Sequence, residues 1–385
     1  AAFITSVVFI TEVMADSRLW RLKVSLQYTG WLQYLPTASV ALACFLGAAL
    51  VRAATTGYLP SVLLFRVLIS LGCISLFACV FDVFTIKFGL HPSERIPPPP
   101  DHLLAAFDLL LSRRSCRSFQ RSRNLTAAHH AELMQSVHLQ TDPAGLIGER
   151  PIRLEYVAAP LTVWPVVGAH EFLVAIAPAE YNRLATIDVG RCLQHVVIRA
   201  TRMGLATCWI GPGADHDSVV RHLGDRFNAD NDHIICVCAV GYASRFCPLV
   251  VRFMQNVVQH RRLPLSRLFF ADPDLQEPLD VTAHPLDRFG RCYEVCRWSP
   301  SSFNAQPTRC VAVVQNNRVE RFDFCSATTS RFYAAVALGI WCANWEAGCE
   351  ELGVRGHFTV LNLKQVEGVP RGYDVSWVVE SDKQE

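Results

Sequence analysis

Two runs almost without charge dominate the early part of the hydrophobic pattern. From Trp31 to Val51 no residue carries a formal charge, and TASVALACFLGAALV within that stretch is nearly all apolar. A helix needs about 20 such residues to cross a hydrocarbon core of roughly 30 Å, so the pattern predicts a transmembrane helix at about 31–51. A second is predicted at about 59–81, in LPSVLLFRVLISLGCISLFACVF, with Arg66 as its one charge. Two turns in from the helix start, that guanidinium is expected to face protein or reach the interface. Trp31, Tyr34 and Tyr58 flank the runs, as an interfacial aromatic belt requires. An earlier apolar stretch, AAFITSVVFITEVMA, is too short to span and includes Glu12. The first residue is not methionine, as expected either after removal of a targeting peptide or if the sequence is incomplete.

Basic residues orient the pair. Arg18, Arg21 and Lys23 precede the first run, Arg52 lies between the two, and Lys87 and Arg95 follow the second. Both ends of the hairpin then face the positive side, with the remainder of the chain. The segment RIPPPPDH comes next, and four consecutive prolines form a stiff spacer of roughly 12 Å at about 3.1 Å each. The expected organisation is an N-terminal segment at 1–96, a proline-rich linker at 97–101 and one larger domain at 102–385.

Beyond the prolines the period alternates between helix and buried strand. DHLLAAFDLLLSRR places Leu103, Leu104, Phe107, Leu110 and Leu111 on one helical stripe. DVGRCLQHVVIRATRMG repeats apolar residues at three and four, with Asp188 available as cap and Gly204 as terminator. LATCWIG reads as a short buried strand or turn, and LEYVAAP, EFLVAIAP, HIICVCAVGY and CVAVV as strands covered on both faces. Asn316 and Asn317 mark a hairpin turn, since asparagine tolerates positive φ. A long helix from about Ser330 to Leu352, then strands in HFTVLNL and YDVSWVVE, complete an α+β, three-layer pattern of a sheet between helices.

Charge and cysteine usage narrow the chemistry. With 36 basic and 34 acidic residues, the net charge of +2 gives no polyelectrolyte surface for nucleic acid. Fifteen cysteines include no CxxC pair, so no metal site is expected. Cys236 and Cys238 share one face of a strand, and Cys292 and Cys296 lie one helical turn apart. Reduced thiols packing as small hydrophobes, in a reducing compartment such as cytosol or mitochondrial matrix, fit this usage. His129 and His130 are expected on a solvated helix face, and Trp341 and Trp345 in helix packing. QHRRLPLSR could contact acidic lipid or a phosphate.

Two polar segments stand out. SRRSCRSF, at 112–119, brings Arg113, Arg114, Ser115 and Arg117 to the end of an amphipathic helix. Guanidinium forks bind phosphate bidentately and a serine hydroxyl adds a donor; the alternative is a solvated cluster. Far downstream, WSPSSFNAQPTR packs hydroxyls, amides and prolines into one short loop before an apolar strand.

In combination these segments resemble the FMN-dependent nitroreductase family. RRSCRSF resembles its RRSxRxF signature and SPSSFNAQPTR its PSxxNxQPW loop. DVGRCLQHVVIRATRMGLATCWIG looks like its central helix and following strand, VVGAHEFLVAI like the preceding strand, and HRRLP like its late phosphate-contacting segment. The resemblance covers most of residues 102–350 and leaves the hairpin outside. The loop follows the central helix here rather than the first helix. That order is similar to a branch in which two unequal halves are fused in one chain, here about 102–272 and 273–385, so a homodimer is not required.

The resemblance implies that Arg113, Arg114, Ser115 and Arg117 hold the ring edge and ribityl side of FMN, and Arg262 its phosphate. Pro300, Ser301, Ser302 and Asn304 would form the opposite wall, and the amides of Ile210 and Gly211 would sit near N5. Thr308 stands where the loop motif ends in an aromatic residue, His260 where a basic residue precedes Arg262, and Pro212 removes an amide next to the N5 contact. Flavin carries the chemistry, so no catalytic nucleophile is implied. The expected function is a membrane-anchored flavoprotein in which NAD(P)H reduces FMN and FMN reduces a nitroaromatic, quinone or similar acceptor. The alternative is a non-catalytic accessory subunit of a respiratory complex. It would sit in the mitochondrial inner membrane, its domain facing the matrix, with membrane lipid and other subunits as partners.

Overall fold

A computed structural model describes residues 31–54, 59–100, 106–211, 213–258, 261–363, 366 and 368–380. The first apolar stretch, Arg18, Arg21, Lys23, Tyr58, Pro212 and His260 lie outside them. The predicted spans form helices α1 (Leu35–Ala54) and α2 (Leu59–Asp82), packed side by side. Gly72 lets them approach: a Cβ there would lie 2.8 Å from the Phe45 ring. The Ser75 hydroxyl donates to the carbonyl of Thr37 at 2.8 Å. Only 11% of either apolar window is buried, and Leu46, Leu50, Leu63, Ile74 and Phe77 point outward. By length and composition the two helices are candidate membrane spans. Arg66 is exposed on the outside of the pair.

The domain begins with α3 (Ala106–Ser112) and α4 (Ala127–Gln140), followed by β1 (Arg153–Ala158) and β2 (Glu171–Pro178). Then come α5 (Arg183–Arg202), β3 (Ala206–Ile210), α6 (His216–Leu223), β4 (Asp232–Gly241) and α7 (Leu249–Val258). Their sheet is antiparallel with order β1-β2-β4-β3. Helix α5 starts six residues earlier than the periodicity predicts, because Asn182, not Asp188, accepts from the amide of Ala185 at 2.9 Å and caps it. Asp188 is therefore internal and buried, and accepts from the amides of Ile147 and Gly148 at 2.9 and 2.8 Å. Gly204 follows the helix end at φ +75°, where a side chain would be strained. His129 and His130 are half-buried rather than solvated, packed on Tyr242 and Tyr156.

The remaining elements are β5 (Phe269–Phe270), α8 (Cys292–Arg297), β6 (Thr308–Gln315) and β7 (Arg318–Ser326), then α9 (Tyr333–Glu351), β8 (Gly356–Thr359) and β9 (Tyr373–Val379). The second sheet has order β5-β6-β7-β9-β8. Apart from β5 this repeats the first: a hairpin, a long helix, then two strands of which the last lies beside the hairpin. The β6–β7 turn uses Asn316 and Asn317 at φ 49° and 61°, as their side chains predict.

The two long helices α5 and α9 cross between the sheets at glycines. A Cβ on Gly190 would lie 2.3 Å from the carbonyl oxygen of Val336, and one on Gly339 1.9 Å from that of Ile187. Next to the crossing, Arg191 forks onto Glu346 with two contacts of 2.7 Å, and His195 reaches the same carboxylate at 2.9 Å. Trp341 and Trp345 are buried in the core over the second sheet.

The stretch before the domain is not a free spacer. Arg123 donates to the carbonyl of Glu94 at 2.8 Å and Gln120 to that of Arg95 at 3.0 Å. Pro98 and Pro99 lie against Gly204, so closely that a Cβ there would be 2.9 Å from Pro99. Prolines supply flat apolar surface but no amide donors, so this contact is steric and the docking hydrogen bonds come from the residues before them.

Candidate functional site

The arginine motif leaves α3 and runs along the outer edge of β3. Ser115 pairs with Thr207, the amide of Cys116 donates to the Thr207 carbonyl at 2.8 Å, and that of Phe119 to Val167 at 2.9 Å. This extended path turns alternate side chains the same way. It carries Arg113 into the protein, where its guanidinium is pushed down to about 10 by burial and by neighbouring Arg114.

Arg262 arrives from a different part of the chain and meets the same environment. Burial, then Arg113, Arg114 and Arg297, push it down to about 10. Its Nη1 donates to the carbonyl of Ser299 at 2.9 Å. The ring of Trp298 lies between two cations, 4.5 Å from the Arg114 guanidinium and 5.3 Å from that of Arg262. Three buried guanidinium nitrogens have no hydrogen-bond partner among the described residues: Nη1 of Arg113, Nε of Arg117 and Nε of Arg262. Among the described residues no carboxylate offsets the charge of Arg113 or Arg262. A buried cation without a counter-charge costs several kcal/mol, and a buried donor without an acceptor a further 1–3 kcal/mol or so. Such a group suits a doubly charged oxyanion with several acceptors, that is, a phosphate.

The second predicted wall is locked by amides. Asn344 of α9 donates to the Ser299 hydroxyl at 2.7 Å and accepts from Gln194 of α5 at 3.0 Å. Asn304 donates to the Arg261 carbonyl at 2.8 Å, and Gln306 accepts from the Leu263 amide at 2.8 Å. Phe303, Asn304 and Gln306 have φ of 51°, 54° and 48°, a left-handed path that costs on the order of 1 kcal/mol or more per residue. Pro300, Ser301 and Gln306 line a cavity of about 20 Å³, while Arg113, Gln194, Trp298 and Asn344 line one of about 10 Å³. Each has room for about one water.

The structure thus brings Arg113, Arg114 and Arg262 together beside Trp298 and the start of the loop, with Pro300 and Ser301 adjoining. Asn304 joins through the backbone of Arg261. Arg117 is set apart, beside Cys116, Cys208 and Cys247, with Cys208 in reach of both Arg117 and Arg113. Ile210 is buried in the first sheet's core, and Gly211 faces the ring of Tyr333, 3.4 Å from where a Cβ would stand. No hydrogen bond among the described residues joins Arg117, Ile210 or Gly211 to the loop. Sequence reasoning missed Trp298, Gln194 and Asn344; the signal for the last two was an amide on the apolar face of a long helix. No three His, Cys, Asp or Glu side chains among the described residues gather as a metal site.

A family model described as "Putative TM nitroreductase" matches residues 107–348, and the chain belongs to the nitroreductase family that this model represents. Among solved structures, a "putative nitroreductase" from Thermotoga maritima MSB8 is 14% identical, with 75% of this chain and 98% of that chain covered and a TM-score of 0.45. A nitroreductase family protein from Clostridium difficile 630 is 20% identical over 42% of this chain and 94% of its own, with a TM-score of 0.31. A nitroreductase with bound FMN from Bacteroides fragilis NCTC 9343 is 16% identical over 38% and 92%, also at 0.31. Comparison with curated proteins gives no match.

Proposed function

We propose that this chain is a membrane-anchored FMN-binding oxidoreductase in which NAD(P)H is the donor and a nitroaromatic, quinone or similar compound the acceptor. The observation that carries the proposal is the pair of unpartnered guanidinium nitrogens on Arg113 and Arg262, brought together from segments far apart in sequence. Arg113 and Arg262 would hold the phosphate, with Arg114 stacked behind on Trp298. Ser115 and Arg117 would follow the ribityl chain and ring edge, and the amides of Ile210 and Gly211 would point toward the ring. Pro300, Ser301, Ser302 and Asn304 would cover the other side. FMN, when bound, supplies reversible hydride transfer; the protein's part is to fix it and to set its potential through positive charge. The one-water cavities imply that the 299–306 loop shifts outward on binding.

The repeated strand order supports a fused pair of half-domains, about 102–272 and 273–385. The arginine motif lies in the first half and the hydroxyl-amide loop in the second, so one chain supplies both walls.

The test is an absorbance titration of the detergent-purified full chain with FMN, followed by NADH and NADPH. A bound flavin spectrum that bleaches on addition of donor is expected. No bound flavin at saturating FMN overturns the proposal. Flavin that binds but stays oxidised moves the assignment to the accessory role.

A further inference from the structure

The end of the helical hairpin and one amphipathic helix of the domain are fixed to each other. Asp82, the last residue of α2, accepts from the backbone amide of Leu249, the first residue of α7, at 2.9 Å. If α2 spans a bilayer, as the proposed function holds and on which this inference rests, Asp82 marks the level where hydrocarbon gives way to headgroups. The start of α7 is then at that level too.

The surface at this level is apolar. Leu249 and Phe253 lie four residues apart, hence on one face of α7, and are 43% and 68% exposed, while Val251 is buried. Phe84, Phe88 and Leu90, just past α2, are 51%, 55% and 64% exposed. Basic groups accompany them: Lys87 lies 5.0 Å over the ring of Trp31, and Arg252 is exposed beside Phe253. Aromatic and aliphatic side chains bordered by Lys, Arg and Trp are what a helix lying in the interfacial plane presents.

The attachment is rigid on the domain side. Glu94 accepts from the Ser244 hydroxyl at 2.7 Å and the Arg245 amide at 2.8 Å, and His91 stacks on Phe246 at 4.3 Å. Ser118, inside the arginine motif, donates to the carbonyl of Phe246. Only a few residues separate that carbonyl from Leu249.

We infer that α7 and the π-helical extension of α2 (Val83–Lys87) with the residues just after it form a lipid-facing collar. Phe84, Phe88, Leu90, Leu249 and Phe253 enter the headgroup boundary of the bilayer and hold the domain with its arginine motif close to the lipid surface. An acceptor dissolved in the membrane then needs no long excursion into water.

The test uses the full chain reconstituted in phosphatidylcholine–phosphatidylglycerol vesicles, with p-benzoyl-phenylalanine placed at one position at a time and lipid adducts read by mass spectrometry. The positions are Phe77 on the hairpin, Phe253 on α7, and Leu139, exposed and about 20 Å along α4 from its start. Adducts at 77 and 253 but not at 139 are expected. Adducts at 77 alone overturn the collar and leave the anchor standing. No adduct at 77 or 253 overturns the anchor itself, and equal labelling at 139 overturns the collar's specificity.

Discussion

Arg113 holds a buried positive charge that no carboxylate among the described residues offsets, and its replacement separates stability from binding. Arg113→Met removes a buried charge while keeping the apolar stem. The ligand-free protein is expected to gain roughly 1–3 kcal/mol, seen as a higher denaturation midpoint, while affinity for FMN falls about 10- to 100-fold, the loss of a charged hydrogen bond. A variant that is less stable without ligand and still binds would contradict the counter-charge argument. Glu346 is the opposite case. Burial raises it, but hydrogen bonds from His195 and Arg191 outweigh burial and hold it at about 2 against an ordinary 4.5. A carboxylate depressed in the folded state contributes stability above its unfolded value, and that contribution is lost as pH falls from about 4.5 to about 2. Over that window roughly 3 kcal/mol should disappear in urea titrations. Glu346→Gln should cost a comparable amount at pH 7 and flatten the acid limb.

At the scale of elements, the α5–α9 crossing governs the site, because Gln194 and Asn344 on these helices set the start of the loop. Gly339→Ala would put a methyl group into the backbone of α5. A loss of about 3 kcal/mol or more is expected, measured by chemical denaturation, with weaker FMN binding because the amide pair moves. The elements themselves were largely legible. Strands such as EFLVAIAP announced themselves as continuous apolar runs, and the Asn316–Asn317 turn by two residues that accept left-handed backbone. The start of α5 was not. Asp188 looked like a cap because it precedes the clearest apolar repeat, but its carboxylate serves two amides of a distant loop, a tertiary demand that leaves no periodic trace.

At the scale of the whole molecule, the two sheets repeat one strand order while the arginine motif and the covering loop occur once each. One FMN per chain is therefore expected. Saturating FMN should raise the thermal midpoint, by about 2.7 kcal/mol in stability at 100 times its dissociation constant. A stoichiometry other than one per chain would contradict a single pocket built from the one arginine motif and the one covering loop. Sequence alone determined the apolar hairpin, the alternation of helix and buried strand, and the two polar segments that signal the family, because each is written in local periodicity or contiguous residue types. Only the tertiary structure decided that Arg113, Arg114 and Arg262 meet around Trp298, that Arg117 stands apart from them, and that the proline segment lies docked along the domain. Burial and missing counter-charges are properties of the space around a side chain, and that space is assembled from residues far apart in the chain.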